Sequence, residues 1–169
     1  MAVGGSGALH SVATGANNVA IGNEALFSLF LGDQNTAVGS QALKLNQADK
    51  NTAVGFQALA FNTNGFTNTA TGWRALYKNT GNDNTALGAS ALFLNTGGSA
   101  NVAVGSGALA NNKGGVKSTA VGAGALGNST EGLNIALGED AGRNLTTGSF
   151  NIYVGNLGES RRIGHDSHW

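Results

Sequence analysis

The chain has 169 residues, which fits one domain on the usual scale of roughly 100–200 residues. Its formal net charge is zero and only 11% of its residues are charged, which leaves no basic surplus for tracking phosphates and excludes nucleic acid and membrane surfaces as main partners. Cysteine is absent, which excludes disulfides and thiolate metal sites, and no run of about 18 apolar residues is present to span a membrane.

The first residues, Met1 to Gly7, lack a basic segment followed by an apolar run and do not read as a secretory signal. From Gly5 onward the chain is periodic. Gly5, Gly22, Gly39, Gly55, Gly72, Gly88, Gly105, Gly122, Gly138 and Gly155 follow one another at 16 or 17 residues. A frame of Asn-Thr-Ala-Val-Gly-x-x-Ala-Leu surrounds them, from Asn35 to Leu43, Asn51 to Leu59, Asn68 to Leu76, Asn84 to Leu92 and Asn101 to Leu109. Looser copies run from Asn18 to Leu26 and from Ser118 to Leu126. This period is too short for helix-pair repeats or propeller blades, which need about 33 to 50 residues, and it suits one turn of a solenoid.

The spacing predicts an all-β parallel solenoid over 1–158, about ten turns long, with a short tail over 159–169. Each turn should carry one strand at Asn-Thr-Ala-Val and a second at Ala-Leu and the two or three residues after it. Identical strands pairing at ~4.8 Å would give a rod of roughly 45–50 Å. In the first strand, Ala20, Ala37, Ala53, Ala70, Ala86, Ala103, Ala120 and Ala136 form an alanine column, which predicts a thin, closely packed interior. The flanking columns, Val19–Thr36–Thr52–Thr69–Thr85 and Ile21–Val38–Val54–Thr71–Leu87 with their continuations, are apolar or threonine. A strand apolar on both faces is buried on both faces, and a thin solenoid has only one interior. The outer face therefore calls for a partner, and the simplest is another copy of the chain.

The glycine after each strand supplies a bend with positive φ. The column Asn18, Asn35, Asn51, Asn68, Asn84, Asn101, Asn134 and Asn151 is expected to stack as an amide ladder. Length changes fall between each Leu and the next Asn, in an outer loop where any recognition should reside. The first turn shows no polar cap, so ends that expose strand edges could join head to tail into filaments.

These motifs resemble the head repeats of trimeric autotransporter adhesins of the YadA type, which share Asn-x-Ala-Val/Ile-Gly-x-x-Ala. They are also similar to the repeats of bacterial and phage tail-fibre proteins, Asn-Thr-Ala-x-Gly-x-x-Ala-Leu-x-x-Asn-Thr-x-Gly, seen here from Asn84 to Gly97. The resemblance covers nearly the whole chain. It implies a left-handed β-roll, a homotrimer, and a place outside the cell or on a virion tail, with a structural or adhesive role.

Chemistry is weighed against that frame. Gly122-Ala-Gly124-Ala-Leu-Gly127 matches a dinucleotide fingerprint by letter, but it repeats the solenoid frame and no helical pattern follows. His165-Asp166-Ser167-His168 holds triad residue types in consecutive positions, where a triad cannot converge; metal binding by His165 and His168 would need a third ligand and a rigid frame, and a frayed terminus is the expectation. Arg161 and Arg162 fit a charged cap on the last turn. Adjacent Glu139 and Asp140 would point to opposite sides of a strand and read as solvated carboxylates, not as a catalytic pair. No cofactor, no metal and no catalytic set is expected. Phe27, Phe56, Trp73, Tyr77 and Phe93 sit just after the glycine or leucine columns, where they serve local packing, copy-to-copy contact or a host-surface glycan. The threonine column Thr36, Thr52, Thr69 and Thr85 would suit an ice-binding face were a second polar rank beside it, but that rank is Val and Leu with Thr71.

Overall fold

The computed structural model describes residues 2–3, 5–11, 15–28, 32–155 and 157. Thirteen strands run along it: β1 (Ala2–Val3), β2 (Val19–Ile21), β3 (Thr36–Val38), β4 (Thr52–Val54), β5 (Phe61–Asn62), β6 (Thr69–Thr71), β7 (Lys78–Asn79), β8 (Thr85–Leu87), β9 (Leu94–Asn95), β10 (Val102–Val104), β11 (Thr119–Val121), β12 (Ile135–Leu137) and β13 (Ile152–Val154). The three-residue strands and β1 form one ten-stranded parallel sheet in chain order, and β5, β7 and β9 form a second parallel sheet. The chain is a β-solenoid. Among the described residues there is no helix, hence none long and apolar enough to cross a membrane.

Register follows the repeat. Ala37 faces Ala20 on one side and Ala53 on the other, and the alanines continue in line through Ala136. A slip of one residue would exchange the alanine for a branched side chain in a space that admits only a methyl group. Those alanines, those of the second column (Ala25, Ala42, Ala58, Ala75, Ala91, Ala108, Ala125, Ala141) and the leucines Leu26 to Leu126 are wholly buried and form the core.

The bend after each strand has two parts. From Gly22 to Gly138 the glycine of the main column has φ between 119° and 139°. The second and fourth residues after it are left-handed: Gln57 and Leu59 have φ of 55° and 49°, and Arg74 and Leu76 of 54° and 49°. Each such residue costs about 1–2 kcal/mol, which full burial of the leucine, worth roughly 1.5–3 kcal/mol, offsets. This corrects the expected second strand. Ala-Leu cannot be extended with Leu in the left-handed region. The strand begins two residues later, and among the described residues it forms only at β5, β7 and β9.

Two asparagine ladders line the interior where only one was expected. In the first, Asn68 Oδ1 accepts the Asn84 backbone N–H at 3.0 Å, and Asn68 Nδ2 donates to Gly81 O at 2.9 Å. The second ladder is Asn46, Asn62, Asn79, Asn95 and Asn112. Asn79 Nδ2 donates to Asn62 Oδ1 at 2.8 Å and to the same Gly81 O at 2.8 Å. Each loop carbonyl thus receives two amides, and a second glycine column (Gly65, Gly81, Gly98, Gly115) lets the loops approach. A Cβ at Gly65 would lie 2.3 Å from Gly81 O. The change in repeat length occurs here, since Gly65 comes three positions after Asn62 but Gly81 only two after Asn79.

Breaks in these columns leave two buried side-chain polar atoms without partners among the described residues, Asn35 Nδ2 and Asn112 Oδ1. Asn35 precedes the rung in which Ala48 stands in the glycine's place. Asn112 precedes Ser129, whose hydroxyl donates to Glu131 O instead of reaching back. Ser129→Asn is expected to supply the missing donor to Asn112 Oδ1 and raise stability by about 1 kcal/mol. Chemical denaturation checks this, and an unchanged or lower midpoint would refute it.

Two side chains are exchanged across the last two rungs. Gly142 stands where earlier rungs have leucine, and Tyr153 stands where they have alanine, opposite Ala136. A Cβ at Gly142 would lie 2.7 Å from the Tyr153 ring. The ring packs on the core in the space the leucine vacates, closing this end of the core, and burial raises its phenol pKa.

Candidate functional site

Two surfaces stand out. The first is the outer face of the ten-stranded sheet. One rank contains Thr36, Thr52, Thr69, Thr85, Val102, Thr119, Ile135 and Ile152, and the other Val38, Val54, Thr71, Leu87, Val104, Val121, Leu137 and Val154, paired in register throughout. As expected, these residues lie outside the core. The threonines of the first rank are half-buried, and Val54, Thr71, Leu87, Ile135 and Leu137 are exposed. No charged residue interrupts either rank.

The second surface lies beyond the glycine bend, where the repeat columns carry the aromatics. Phe56 and Trp73 follow Gly55 and Gly72 directly and are 42% and 49% exposed. Tyr77 and Phe93 each follow a core leucine. Their rings stack in successive rungs, centroids 5.2 Å apart and planes within 6°. Phe61, one column further, meets Tyr77 edge to face at 5.0 Å. The Arg74 guanidinium lies 4.5 Å from the Trp73 ring and 5.2 Å from the Tyr77 ring, joining the two columns by cation–π contacts. Of the five aromatics singled out by sequence, the structure thus joins Trp73 and Tyr77 through Arg74, and Phe93 through its stack on Tyr77. Phe56 stands in Trp73's column, and Phe27 lies apart, stacked on His10 at 4.9 Å. Arg74 and Phe61 were not anticipated, although the second position after each glycine recurs as visibly as the others.

That second position builds a polar ladder. Arg74 Nε donates to Gln57 Oε1 at 2.8 Å, Gln57 Nε2 to Gln41 Oε1 at 2.6 Å and Gln41 Nε2 to Glu24 Oε2 at 2.7 Å. Lys44 Nζ also reaches Glu24 Oε2, at 2.9 Å. The bonds from Lys44 and then Gln41 hold the Glu24 carboxyl below its ordinary pKa.

Toward the C-terminal rungs the same columns shrink. Gly107 and Gly124 replace Arg74, and Ala110 and Gly127 continue the column of Tyr77 and Phe93. They floor a shallow depression of about 390 Å³ whose far wall includes Glu139 and Asp140. These carboxylates lie in a turn, Glu139 exposed and Asp140 half-buried. Asp140 pairs with Arg143 at 2.9 Å. The dinucleotide-like glycines Gly122 and Gly124 belong to a solenoid bend, with φ of 139° and 68°. Among the described residues no three His, Asp or Glu side chains gather where a metal could sit. Arg161, Arg162, His165, Asp166, Ser167 and His168 lie outside the described residues. Compared with known proteins, the chain matches no family model, no curated protein and no solved structure.

Proposed function

We propose that this chain is a non-catalytic structural segment, a fibre shaft or adhesive head on a cell surface or virion tail, assembled by packing the outer sheet faces of three copies together. The observation that carries the reading is the pair of apolar and threonine ranks, uncharged and in register along the sheet. A contiguous exposed apolar face is costly in water and marks an interface. Because it repeats at every rung, a copy of the chain aligned in parallel offers it the same spacing along its whole length. The threefold arrangement is supported by the resemblance of Asn-Thr-Ala-Val-Gly-x-x-Ala to adhesin head repeats.

Sedimentation equilibrium is expected to give three times the 16.8 kDa chain mass. Val54→Lys with Leu87→Lys, at positions exposed in the single chain, should yield a folded monomer with an unchanged circular dichroism spectrum. A parent chain that sediments as a monomer at micromolar concentration would overturn the proposal.

A second reading, glycan binding by the aromatic face, is favoured by the cluster of Trp73, Arg74, Tyr77 and Phe93. Rings held in place by a cation and by one another lose little freedom when a ligand stacks on them. It is compatible with the first reading, since the aromatics lie outside the two ranks.

A further inference from the structure

The polar ladder has two unlike ends. Its donors all run one way, from Arg74 through Gln57 and Gln41 to Glu24. At one end Lys44 balances the Glu24 carboxylate. At the other, Arg74 engages only its Nε–H, which donates to Gln57 Oε1. Its two terminal nitrogens find no acceptor, and its charge no carboxylate, among the described residues. The residue is half-buried, its guanidinium held against the rings of Trp73 and Tyr77. We propose that this end of the ladder binds an acidic sugar, a pyranose ring bearing a carboxylate, with the carboxylate on Arg74 and the ring on the aromatic cluster. The proposal rests on the glycan-binding reading of the aromatic face and adds the charge of the ligand and the residue that selects it.

Three observations select that ligand. The first is charge. From Phe56 to Phe93 the charged side chains are Arg74, Lys78 and Asp83. Asp83 accepts from Thr67 Oγ1 and pairs with neither cation. At physiological salt only charges within about 8 Å of a ligand count for much, so these rungs attract an anion although the whole chain is neutral. The second is the form of the donor. A guanidinium is a planar fork that grips a carboxylate through two parallel bonds. Gln57 and the two rings fix that fork in place, so little freedom is lost on binding. The third is room beside a ring surface. In the next rung Ala89 and Ser90 replace Trp73 and Arg74, with Ser90 N–H bonded to Trp73 O at 2.8 Å. One rung further Gly107 continues the arginine column, and a Cβ there would meet nothing within 4 Å. Trp73 stays 49% exposed with the guanidinium against it. An aromatic face is negative at its centre and attracts the weakly positive C–H face of a pyranose, whereas a simple inorganic anion would leave the rings uncovered.

Isothermal titration of the full chain with matched pairs of sugars tests this, using trigalacturonic acid against its methyl ester and sialyllactose against lactose. At least one acid is expected to bind about tenfold or more tightly than its neutral partner at low salt, with the gap narrowing as salt is added. Arg74→Gln should close the gap. This variant keeps the backbone, because Gln41 and Gln57 already occupy the column with φ of 60° and 55° against 54° for Arg74. Lys117→Gln removes an equal charge from a different loop, in a column where Gln34 has φ of 58° against 57° for Lys117, and should leave the gap unchanged. Equal binding of each acid and its neutral partner, or a gap that survives Arg74→Gln, would overturn the proposal while keeping the glycan-binding reading. Binding of none of these sugars would overturn both. Poly-glutamate bound as tightly as the acidic sugars would reduce the site to an anion patch and would overturn the proposal as well.

Discussion

Gly72→Ala is expected to destabilise the chain by more than about 4 kcal/mol, a large part of the 5–15 kcal/mol typical of a folded domain. Two effects combine. Gly72 has φ of 134°, a region closed to residues with a Cβ. The added Cβ would also lie 2.6 Å from Gly88 O and 2.7 Å from its carbonyl carbon, atoms of a backbone that the next rung holds in place. Rungs are bonded to their neighbours on both sides, so the strain cannot relax without opening the sheet. Gly107→Ala is the matched control. Its φ of 67° is shared by Arg74 and Ser90 in the same column, at 54° and 56°, and nothing lies within 4 Å of the new Cβ. It should cost only about 1–2 kcal/mol. Denaturant unfolding of both variants decides the matter, and equal losses would show that the glycine column is not what holds the rungs at their spacing.

Asn68→Ala should cost about 3–5 kcal/mol, since it strands the buried Asn84 N–H and removes one of the two donors to Gly81 O. Asn68→Asp separates the two roles. The carboxylate still accepts from the Asn84 N–H, but it faces Gly81 O and Asn51 Oδ1, both acceptors, in a wholly buried place. Burial and those acceptors raise its folded pKa above the ordinary ~3.9. The protonated acid can donate to Gly81 O as the amide did. Its stabilising contribution is therefore present below pH ~4 and is lost as pH rises through the folded pKa. The aspartate variant should approach the parent at low pH and fall toward or below the alanine variant at pH 7. Comparing the variants with each other at each pH cancels the separate loss from Glu24, whose lowered pKa withdraws stability as pH falls. An aspartate variant whose deficit relative to alanine does not change between pH 4 and 7 would contradict this account.

Most of the fold was legible because a solenoid turns sequence period directly into neighbourhood. Residues 16 or 17 apart touch, so Ala20, Ala37 and Ala53 announce a column without any knowledge of tertiary contacts. The alternation of Thr-Ala-Val likewise told inside from outside. What failed was the second strand. Nothing in the letters Ala-Leu reveals that Leu59 adopts a φ of 49°, because leucine rarely does so and only the enforced return of the chain to the next rung selects it. The second asparagine ladder was visible as a column at Asn62, Asn79 and Asn95, yet its meaning depends on a carbonyl shared with the first ladder.

The candidate site divides the same way. Sequence located Phe56 and Trp73 directly after the column glycine, and Tyr77 and Phe93 directly after the core leucine, where side chains leave the core. It could not rank them, because stacking depends on ring orientation. The 6° between Tyr77 and Phe93, the insertion of Arg74 beside Trp73 and the hollow over Ala110 were decided only by the path of the bend. The sequence by itself determined the solenoid, its register, its alanine and leucine core and its uncharged outer face, because each follows from residue type at a fixed period. The tertiary structure decided which backbone conformations close each turn, how Tyr153 of the last rung fills the space that Gly142 leaves in the rung before it, and which surface rings share a stack. Those outcomes depend on angles and on packing across rungs, which residue order does not encode.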